Sequence, residues 1–193
     1  EVPSFDVNLD GFDDLVHVRC EEDIFSVELL LSDGSGVFSN LVLSGSVANH
    51  ASEDKWFSGD FNGDGALDLA RLWGGTDGKT YCEVETTLQD GSLDLVLWVD
   101  AAGDFAASQR WFKGDFNGDG MDDLMEMPYN GNDLILKVYL STGSGFVRSY
   151  WWNSSSGRAQ EDWFFVGDVT GDNAVDLVQV AESGDDAVCW VYA

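Results

Sequence analysis

Hydrophobic and polar residues alternate along this chain in short runs that turn residues interrupt. Runs such as "DLVHV", "FSVELLL", "LILKVYL" and "DLVQV" are bounded by Gly, Asp, Asn and Ser. Alternation with a period of two is typical of half-buried strands, and the bounding residues favour tight turns. The chain has 22 glycines and two prolines, and no segment has a convincing helical pattern. The sequence therefore predicts an all-β protein of short antiparallel strands.

One acidic loop occurs four times at a nearly constant spacing. Its copies "DVNLDGFDDL", "DFNGDGALDL", "DFNGDGMDDL" and "DVTGDNAVDL" begin at Asp6, Asp60, Asp115 and Asp168. These first aspartates lie 54, 55 and 53 residues apart, which an acidic composition would not produce by chance. The chain therefore consists of four sequence repeats. Their approximate bounds are 1–53, 54–108, 109–161 and 162–193.

Two further sequence motifs recur in step with the acidic loop and predict what each repeat forms. The hairpin sequences "LSDGS", "LQDGS" and "LSTGS" begin at Leu31, Leu88 and Leu140, and a Trp-Phe pair begins at Trp56, Trp111 and Trp163. Each repeat then predicts a four-stranded antiparallel unit in which the loop joins the first two strands and the hairpin joins the last two. Such units are typical of a β-propeller, so a single propeller domain is expected over 1–193. The three tryptophans are expected to be buried between units.

The loop itself offers oxygen ligands at regular steps. Numbered from its first Asp, it carries oxygen side chains at positions 1, 3, 5 and 9, Gly at position 6 in three copies, and a usable carbonyl at position 7. This arrangement suits Ca²⁺, which takes six to eight oxygens, better than Mg²⁺. The alternative is that Asp and Asn only form Asx-turns. The fourth loop is the weakest candidate because Thr170 and Asn173 replace Asn and Gly, although Asn tolerates a left-handed backbone.

The third loop also matches an EF-hand pattern, with Glu126 at position 12. The equivalent residues in the other repeats are His17, Arg71 and Gln179, and the flanking segments are strands. Glu126 is therefore interpreted as an outward-facing strand residue.

The loop and its context resemble the FG-GAP and VCBS repeats of integrin α-subunit propellers and of propeller lectins. The resemblance covers essentially the whole chain, although larger members of the family commonly have seven repeats. It implies a secreted or cell-surface β-propeller with up to four Ca²⁺ ions, each between the first two strands of a blade, and it is compatible with adhesion, lectin and enzyme-accessory roles. The ligands that it implies, with position 7 acting through its carbonyl, are Asp6, Asn8, Asp10, Phe12 and Asp14; Asp60, Asn62, Asp64, Ala66 and Asp68; Asp115, Asn117, Asp119, Met121 and Asp123; and Asp168, Thr170, Asp172, Ala174 and Asp176.

Composition narrows the range of partners. The formal net charge of −27 opposes binding to nucleic acid and to anionic membranes, and no apolar run is long enough to span a bilayer. The three cysteines, Cys20, Cys82 and Cys189, lie in apolar strand-like stretches and match no metal-binding motif. They are expected to be buried free thiols, with one disulfide as the alternative.

Catalysis has little support in the sequence. There is no GxSxG or HExxH motif, and of the two histidines, His17 and His50, the first lies on a predicted strand and is interpreted as structural. The repeated carboxylates are already explained as ligands. The chain is therefore predicted not to be an enzyme.

Aromatic residues in the predicted fourth strands suggest a binding surface. Consecutive residues of a strand face opposite ways, so one of the neighbours Trp151 and Trp152 should lie near solvent. An exposed Trp beside polar groups could stack on a sugar ring, and burial of that Trp by a neighbouring chain is the alternative. The prediction is a carbohydrate-binding module whose partner is a carbohydrate or a glycoprotein; the alternatives are an adhesion or protein-interaction module and a non-catalytic accessory part of a larger secreted protein. Its candidate ligand residues are Trp98, Trp151, Trp152, Asn153 and Arg158.

The fourth repeat ends early. The hairpin residue Leu140 lies 17 residues after Asp123, and the residue 17 after Asp176 is Ala193, the last in the sequence. The fourth unit should therefore have three strands, which gives fifteen strands where four complete units need sixteen. An unpaired edge invites pairing with another chain. Three outcomes are expected alternatives: a fragment of a longer propeller, self-association through the open edge, or a closed four-bladed monomer.

Overall fold

In the computed structural model of the protein, antiparallel strands form four separate sheets. The structure describes residues 6, 8, 10–21, 24–43, 53–87, 93–99, 102–128, 133–154, 162–184 and 186–193. None of these residues forms a helix that could span a membrane. The strands in the described residues are β1 (Leu15–Glu21), β2 (Ile24–Ser32), β3 (Phe38–Leu43), β4 (Lys55–Gly59), β5 (Asp68–Gly74), β6 (Thr80–Thr87), β7 (Leu93–Val99), β8 (Arg110–Gly114), β9 (Asp123–Met127), β10 (Leu134–Ser141), β11 (Phe146–Ser154), β12 (Trp163–Gly167), β13 (Asp176–Ser183) and β14 (Asp186–Tyr192).

Each sheet is formed by one sequence repeat, and its strands pair in chain order. The four sheets are β1-β2-β3, β4-β5-β6-β7, β8-β9-β10-β11 and β12-β13-β14. The all-β prediction and the four-stranded units of the second and third repeats are confirmed. The three-stranded fourth unit is also confirmed. The described residues hold fourteen strands rather than fifteen, because the segment predicted for the first strand of the first repeat lies outside them.

The turns form where the sequence places them. The acidic loop joins β4 to β5, β8 to β9 and β12 to β13, and the Gly-Ser hairpins after Leu31 and Leu140 join β2 to β3 and β10 to β11. The hairpin predicted at Leu88 lies outside the described residues.

The chain divides into two compact units. The first is formed by Glu1–Asp60 and Asp64–Phe105, and the second by Phe61–Gly63 and Ala106–Ala193.

Strand register assigns the side chains of each sheet to two faces. Residues at loop positions 10 and 12 share one face, here called the even face, and residues at positions 11 and 13 share the opposite one, the odd face. In the third sheet Trp111 is paired with Glu126 on the even face, and Phe112 is paired with Met125 on the odd face. Tyr139 pairs with Leu124 and so also lies on the even face.

In the second unit, the odd face of the third sheet packs against the even face of the fourth. Met125, Met127 and Val138 form one apolar core with Phe164 and Leu177. The first three and Leu177 have no exposed surface, and Phe164 is 9% exposed. Burial at this density accounts for much of the stability of such a pair of sheets, at about 1.5–3 kcal/mol for each large apolar side chain.

Polar contacts at the edge of this core fix the register of the two sheets. The Arg110 guanidinium donates to the Asp162 carbonyl oxygen at 3.1 Å and lies 5.4 Å from the centre of the Phe164 ring. Beside it, the Val175 amide donates to the Asp115 carbonyl oxygen at 2.7 Å. A Cβ added to Gly114 would lie 2.8 Å from the Val175 side chain, so only glycine permits this approach.

The prediction that Trp163 is buried is wrong, because the aromatic pair of the fourth repeat is shifted by one residue. Trp56 pairs with Arg71 and Trp111 pairs with Glu126, whereas the residue paired with Gln179 is Phe164. Trp163 instead occupies the position held by Arg110 in the third repeat and is 53% exposed. Trp111 is buried as predicted, and Trp56 is half-buried.

The expectation of buried thiols holds for one cysteine and fails for another. Cys82 and Cys189 are free. Cys82 is fully buried, and burial raises the pKa of its thiol well above the usual range. Cys189 is exposed on β14, contrary to the prediction. The side chain of Cys20 lies outside the described residues.

Candidate functional site

The backbone of the acidic loop is left-handed at position 6 in its four copies. Positions 4 and 6 have left-handed backbones in the third loop, at Gly118 (φ 73°) and Gly120 (φ 89°), and again in the second at Gly63 and Gly65. In the fourth loop position 6 is Asn173, which takes a φ of 71°. The expectation that Asn tolerates a left-handed backbone at this position is confirmed.

The first aspartate of the loop holds this backbone together. Asp115 Oδ1 accepts the amides of Gly118 at 2.7 Å and Asp119 at 3.0 Å, and its Oδ2 accepts the amide of Gly120 at 2.8 Å. Equivalent bonds from position 6 reach the position-1 carboxylates in the other loops. They run from Gly11 to Asp6 (2.7 Å), from Gly65 to Asp60 (2.8 Å) and from Asn173 to Asp168 (3.0 Å).

Positions 3 and 5 form Asx-turns, as the alternative interpretation of the loop predicts. Asn117 Oδ1 accepts the Asp119 amide at 3.0 Å, and Asp119 Oδ1 accepts the Met121 amide at 2.9 Å. Asp64 accepts the Ala66 amide and Asp172 accepts the Ala174 amide in the same way. Each of these oxygens has further lone pairs, so an Asx-turn and coordination of a cation are compatible.

The aspartate at position 9 is buried and ties the loop to the hairpin. Asp123 Oδ1 accepts the Ser141 amide at 2.7 Å, and its Oδ2 accepts the Phe116 amide at 3.0 Å. In the first repeat Asp14 accepts the Ser32 amide at 2.7 Å. Burial raises the pKa of Asp123 to about 7, although both amide bonds act in the opposite direction. Sequence analysis missed this second role, which the shared spacing of 18 residues between this Asp and the hairpin Ser in the first and third repeats signals.

The ligand atoms that the loops offer are of the type that a hard cation prefers. The side chains at positions 1, 3, 5 and 9 offer only oxygen, the ligand type that Ca²⁺ and Mg²⁺ prefer. Among the described residues, no three carboxylate, imidazole or thiol groups converge as a formed metal cluster. The predicted ligand set also includes Asn and Thr oxygens and the position-7 carbonyl, which are not groups of these three types.

Glu126 does not face outward, so the interpretation of this residue is wrong. It is 1% exposed, and its carboxylate accepts bonds from Gln109 (3.1 Å), Lys137 (2.9 Å) and Tyr139 (2.8 Å). The same contact raises the pKa of Tyr139, after burial as the larger cause. Glu126 therefore belongs to a polar network on the even face of the sheet.

The residue at loop position 12 makes polar contacts in each described sheet, although its identity differs from one repeat to the next. In the second sheet Arg71 pairs with Asp54 at 2.7 Å and Glu83 at 3.0 Å. In the fourth, Gln179 donates to Asp162 at 2.5 Å and accepts from the Tyr192 hydroxyl at 2.7 Å. In the first sheet, the position-12 residue His17 contacts Glu28 at 3.1 Å and is exposed. Position 12 is thus polar throughout and is buried in three repeats.

The candidate sugar-binding aromatics separate into buried and exposed residues. Trp98 is 9% exposed, so its assignment to a binding surface is wrong. Trp151 is half-buried and packs edge-on against Phe116, with the ring centres 5.5 Å apart. Trp152 is 47% exposed, which confirms that one of the two neighbours lies near solvent.

Trp152 has an aromatic neighbour that sequence analysis missed. The rings of Trp152 and Tyr192 meet edge to face with centres 5.4 Å apart, although 40 residues separate them. Asn153 follows Trp152 on β11 and is exposed. Arg158 lies outside the described residues. The arrangement provides one accessible indole face beside a phenol edge, whereas Asn153, the next residue of the strand, faces the opposite side of the sheet.

Comparison with known proteins supports the fold only. No family model matches the chain, and no curated protein matches it. The fold is similar to that of a chain in the structure of the Photorhabdus luminescens Tc holotoxin pore, with a TM-score of 0.62 and 19% sequence identity over 94% of this chain. The present chain spans 8% of the length of that chain. At this identity the similarity shows an all-β arrangement of repeated sheets and nothing about activity.

Proposed function

We propose that the four sheets are blades of a β-propeller whose acidic loops bind Ca²⁺ and whose surface binds carbohydrate outside the cell. The propeller is supported by the one-sheet-per-repeat organisation. It is also supported by the packing of the third sheet on the fourth, where the odd face of one blade covers the even face of the next. The Tc holotoxin chain supports the same arrangement of repeated sheets.

The observation that carries calcium binding is the repetition of one loop geometry at one register. Four loops place oxygens at positions 1, 3, 5 and 9 around a backbone that the position-1 carboxylate already holds. A preformed backbone lowers the entropy cost of binding, and Ca²⁺ neutralises carboxylates that otherwise repel one another. We assign one ion to each loop, held by the residues given above, with Asp115, Asn117, Asp119 and Asp123 as the best-defined set.

Calorimetric titration of the chelator-stripped protein with CaCl₂ tests this assignment. Asp119→Ala and Asp64→Ala should each lower the stoichiometry by one ion and leave the remaining sites intact. Asp186→Ala, in the exposed β13–β14 hairpin, removes the same charge away from the loops and should leave the stoichiometry unchanged. No heat of binding and no enhancement of Tb³⁺ luminescence in the unmodified protein would rule out the calcium assignment.

Carbohydrate binding rests on the exposed indole of Trp152. Its open face can pack against the apolar face of a sugar ring, and the Tyr192 ring lies beside it, edge to face. Aromatic side chains with a polar end suit contacts that are partly exposed to water. The role is binding without catalysis, in a secreted or cell-surface protein.

A glycan array probed in saturating Ca²⁺ and again in chelator tests carbohydrate binding. Trp152→Ala should abolish binding to any glycan that the unmodified protein retains, because the stacking surface is lost. Trp163→Ala, an equally exposed indole on the odd face of the fourth sheet, is the matched control and should bind normally. If no glycan binds in saturating Ca²⁺, the protein-interaction alternative is favoured.

A further inference from the structure

The third and fourth acidic loops are in direct contact with one another. Both lie within Ala106–Ala193 of the second compact unit. The amide of Val175, at position 8 of the fourth loop, donates to the carbonyl oxygen of Asp115, at position 1 of the third loop, at 2.7 Å. This is the short end of the range for an N–H···O hydrogen bond. The bond therefore joins the backbones of two of the proposed calcium sites.

Close packing surrounds this hydrogen bond. Gly114, directly before Asp115, is buried, and a Cβ added to it would lie 2.8 Å from the Val175 side chain. Val175 also packs against the apolar core that the third and fourth sheets share. On the other side of the bond, a Cβ added to Gly118 would lie 3.7 Å from the Asn173 carbonyl oxygen. Positions 6 and 8 of the fourth loop therefore lie against the third loop.

One peptide unit of the fourth loop takes part in both loops. Its carbonyl is that of Ala174, the predicted position-7 ligand, and its N–H is that of Val175. Because the peptide is planar, the orientation of its carbonyl fixes that of its N–H. The acceptor Asp115 is also the residue whose carboxylate holds the third loop, through the amides of Gly118 and Gly120. Ordering of either loop therefore constrains the other.

We propose that the third and fourth loops bind Ca²⁺ cooperatively, because the Ala174–Val175 peptide and the Asp115 backbone order one another. The inference rests on the calcium assignment made above and adds a coupling that independent sites would lack. Binding that orders one loop lowers the entropy cost of ordering the other, so the affinity of the second site rises. Coupling of this kind is reciprocal, so each loop changes the affinity of the other by the same factor.

The coupling has its largest consequence for the fourth loop. Thr170 and Asn173 replace the Asn and Gly of the other loops, so this loop has the least favourable residues for Ca²⁺. Contact with an ordered third loop compensates for part of that disadvantage. The third loop should therefore fill at lower Ca²⁺ concentration, and the affinity of the fourth should depend on it.

An NMR titration of the chelator-stripped whole chain with CaCl₂ measures the two sites separately. The amides of Gly120 and Asn173 each donate to the position-1 carboxylate of their own loop, so their resonances report on the third and fourth loops. Asp119→Ala disables the third loop and should raise the Kd of the fourth at least about fivefold. Asp172→Ala disables the fourth loop and should raise the Kd of the third by the same factor.

A charge-matched variant separates this coupling from a general electrostatic effect. Asp122, at position 8 of the third loop, lies outside the predicted ligand set and pairs with Lys113 at 3.0 Å. Asp122→Ala removes the same charge from the same loop as Asp119→Ala does. It should leave the Kd of the fourth loop nearly unchanged.

A second pair of variants tests the contact itself. A methyl group at Gly114 has to displace Val175, whereas a Cβ at Gly167, the equivalent position before the fourth loop, meets nothing within 4 Å. In a Gly114→Ala background, Asp119→Ala should no longer change the Kd of the fourth loop, and in a Gly167→Ala background it should still do so. If Gly114→Ala does not fold, Asp119→Ala and Asp172→Ala still decide, because neither alters the contact.

The outcomes separate this inference from the calcium assignment. If neither Gly120 nor Asn173 responds to millimolar CaCl₂, the calcium assignment of these loops is wrong and the coupling is wrong with it. If both respond and Asp119→Ala changes the Kd of the fourth loop no more than Asp122→Ala does, the loops are independent calcium sites and only the coupling is refuted. A response of Gly120 without one of Asn173 would also refute the coupling.

Discussion

Individual carboxylates in this protein titrate according to their surroundings. Asp33 is exposed in the β2–β3 hairpin, and the hydroxyl and amide of Ser35, which both donate to it, lower its pKa. Glu85 lies on β6, is 7% exposed, and has a pKa raised to about 7 by burial first and by the neighbouring Glu83 second. The charge of Arg71 acts against this rise without cancelling it.

The raised pKa of Glu85 predicts a loss of stability as pH rises. The unfolded chain releases this proton near its ordinary pKa of 4.5, whereas the folded protein holds it until about pH 7. Between these values the folded state keeps a proton that the unfolded state has lost, so stability falls with rising pH and the loss is complete above about pH 7. Glu85→Gln should therefore stabilise the protein by about 1–2 kcal/mol at pH 8 and have little effect at pH 5.

Urea unfolding at both pH values measures this difference. Glu182→Gln removes an exposed carboxylate in the same kind of element and should have little effect at either pH. A Glu85→Gln variant that is equally stable to the unmodified protein at pH 8 would contradict the prediction.

At the scale of elements, the sequence predicted the strands and turns better than the faces of the sheets. Alternation, Gly-rich loops and hairpin signals located each described sheet, and the left-handed Asn173 followed from its place in the loop. Alternation fails for Glu126 because its side chain is buried in a polar network with Gln109 and Tyr139, so a polar residue at this position does not mark solvent. Trp163 was misassigned because adjacent aromatics allow two registers that differ by one residue.

The polar network of the second sheet tests how a buried charge is held. The Arg71 side chain is 2% exposed, bonds to Asp54 and Glu83, and lies over the Trp73 ring at 4.9 Å. Arg71→Met fills a similar volume but leaves two carboxylates without their cation. Removal of one partner from a buried ion pair costs about 3–5 kcal/mol, and a loss in that range is expected in urea unfolding.

The exposed pair of Lys79 and Asp104 is the matched control. Its nitrogen and oxygen are 2.6 Å apart, yet the side chains are 42% and 86% exposed, so Lys79→Met should have little effect on stability. Neutralising Asp54 and Glu83 as Asn and Gln in the Arg71→Met background should recover part of the lost stability. Equal effects of Arg71→Met and Lys79→Met would show that burial does not govern the energy of this network.

For the whole molecule, the excess of 36 acidic over 9 basic residues produces electrostatic repulsion within the chain. Repulsion among so many like charges favours expanded states, and it is strongest at low ionic strength. The repeated loops concentrate part of this charge, since each contributes aspartates at positions 1, 5 and 9. Bound cations would reduce the repulsion among the aspartates of each loop, whereas dissolved salt would reduce it over the whole chain.

These two effects predict different responses of the thermal midpoint. A loop filled at 100 times its dissociation constant adds about 2.7 kcal/mol, so several filled loops should raise the midpoint by many degrees. Chelator at low salt should therefore give the lowest midpoint, NaCl should raise it partly, and millimolar CaCl₂ should raise it further than MgCl₂ at matched ionic strength. Asp119→Ala should reduce the calcium increment and leave the NaCl increment unchanged, because it removes a ligand but only one charge among many. Equal shifts with CaCl₂ and MgCl₂ would mean that screening alone stabilises the fold and that the loops are Asx-turns without a bound ion.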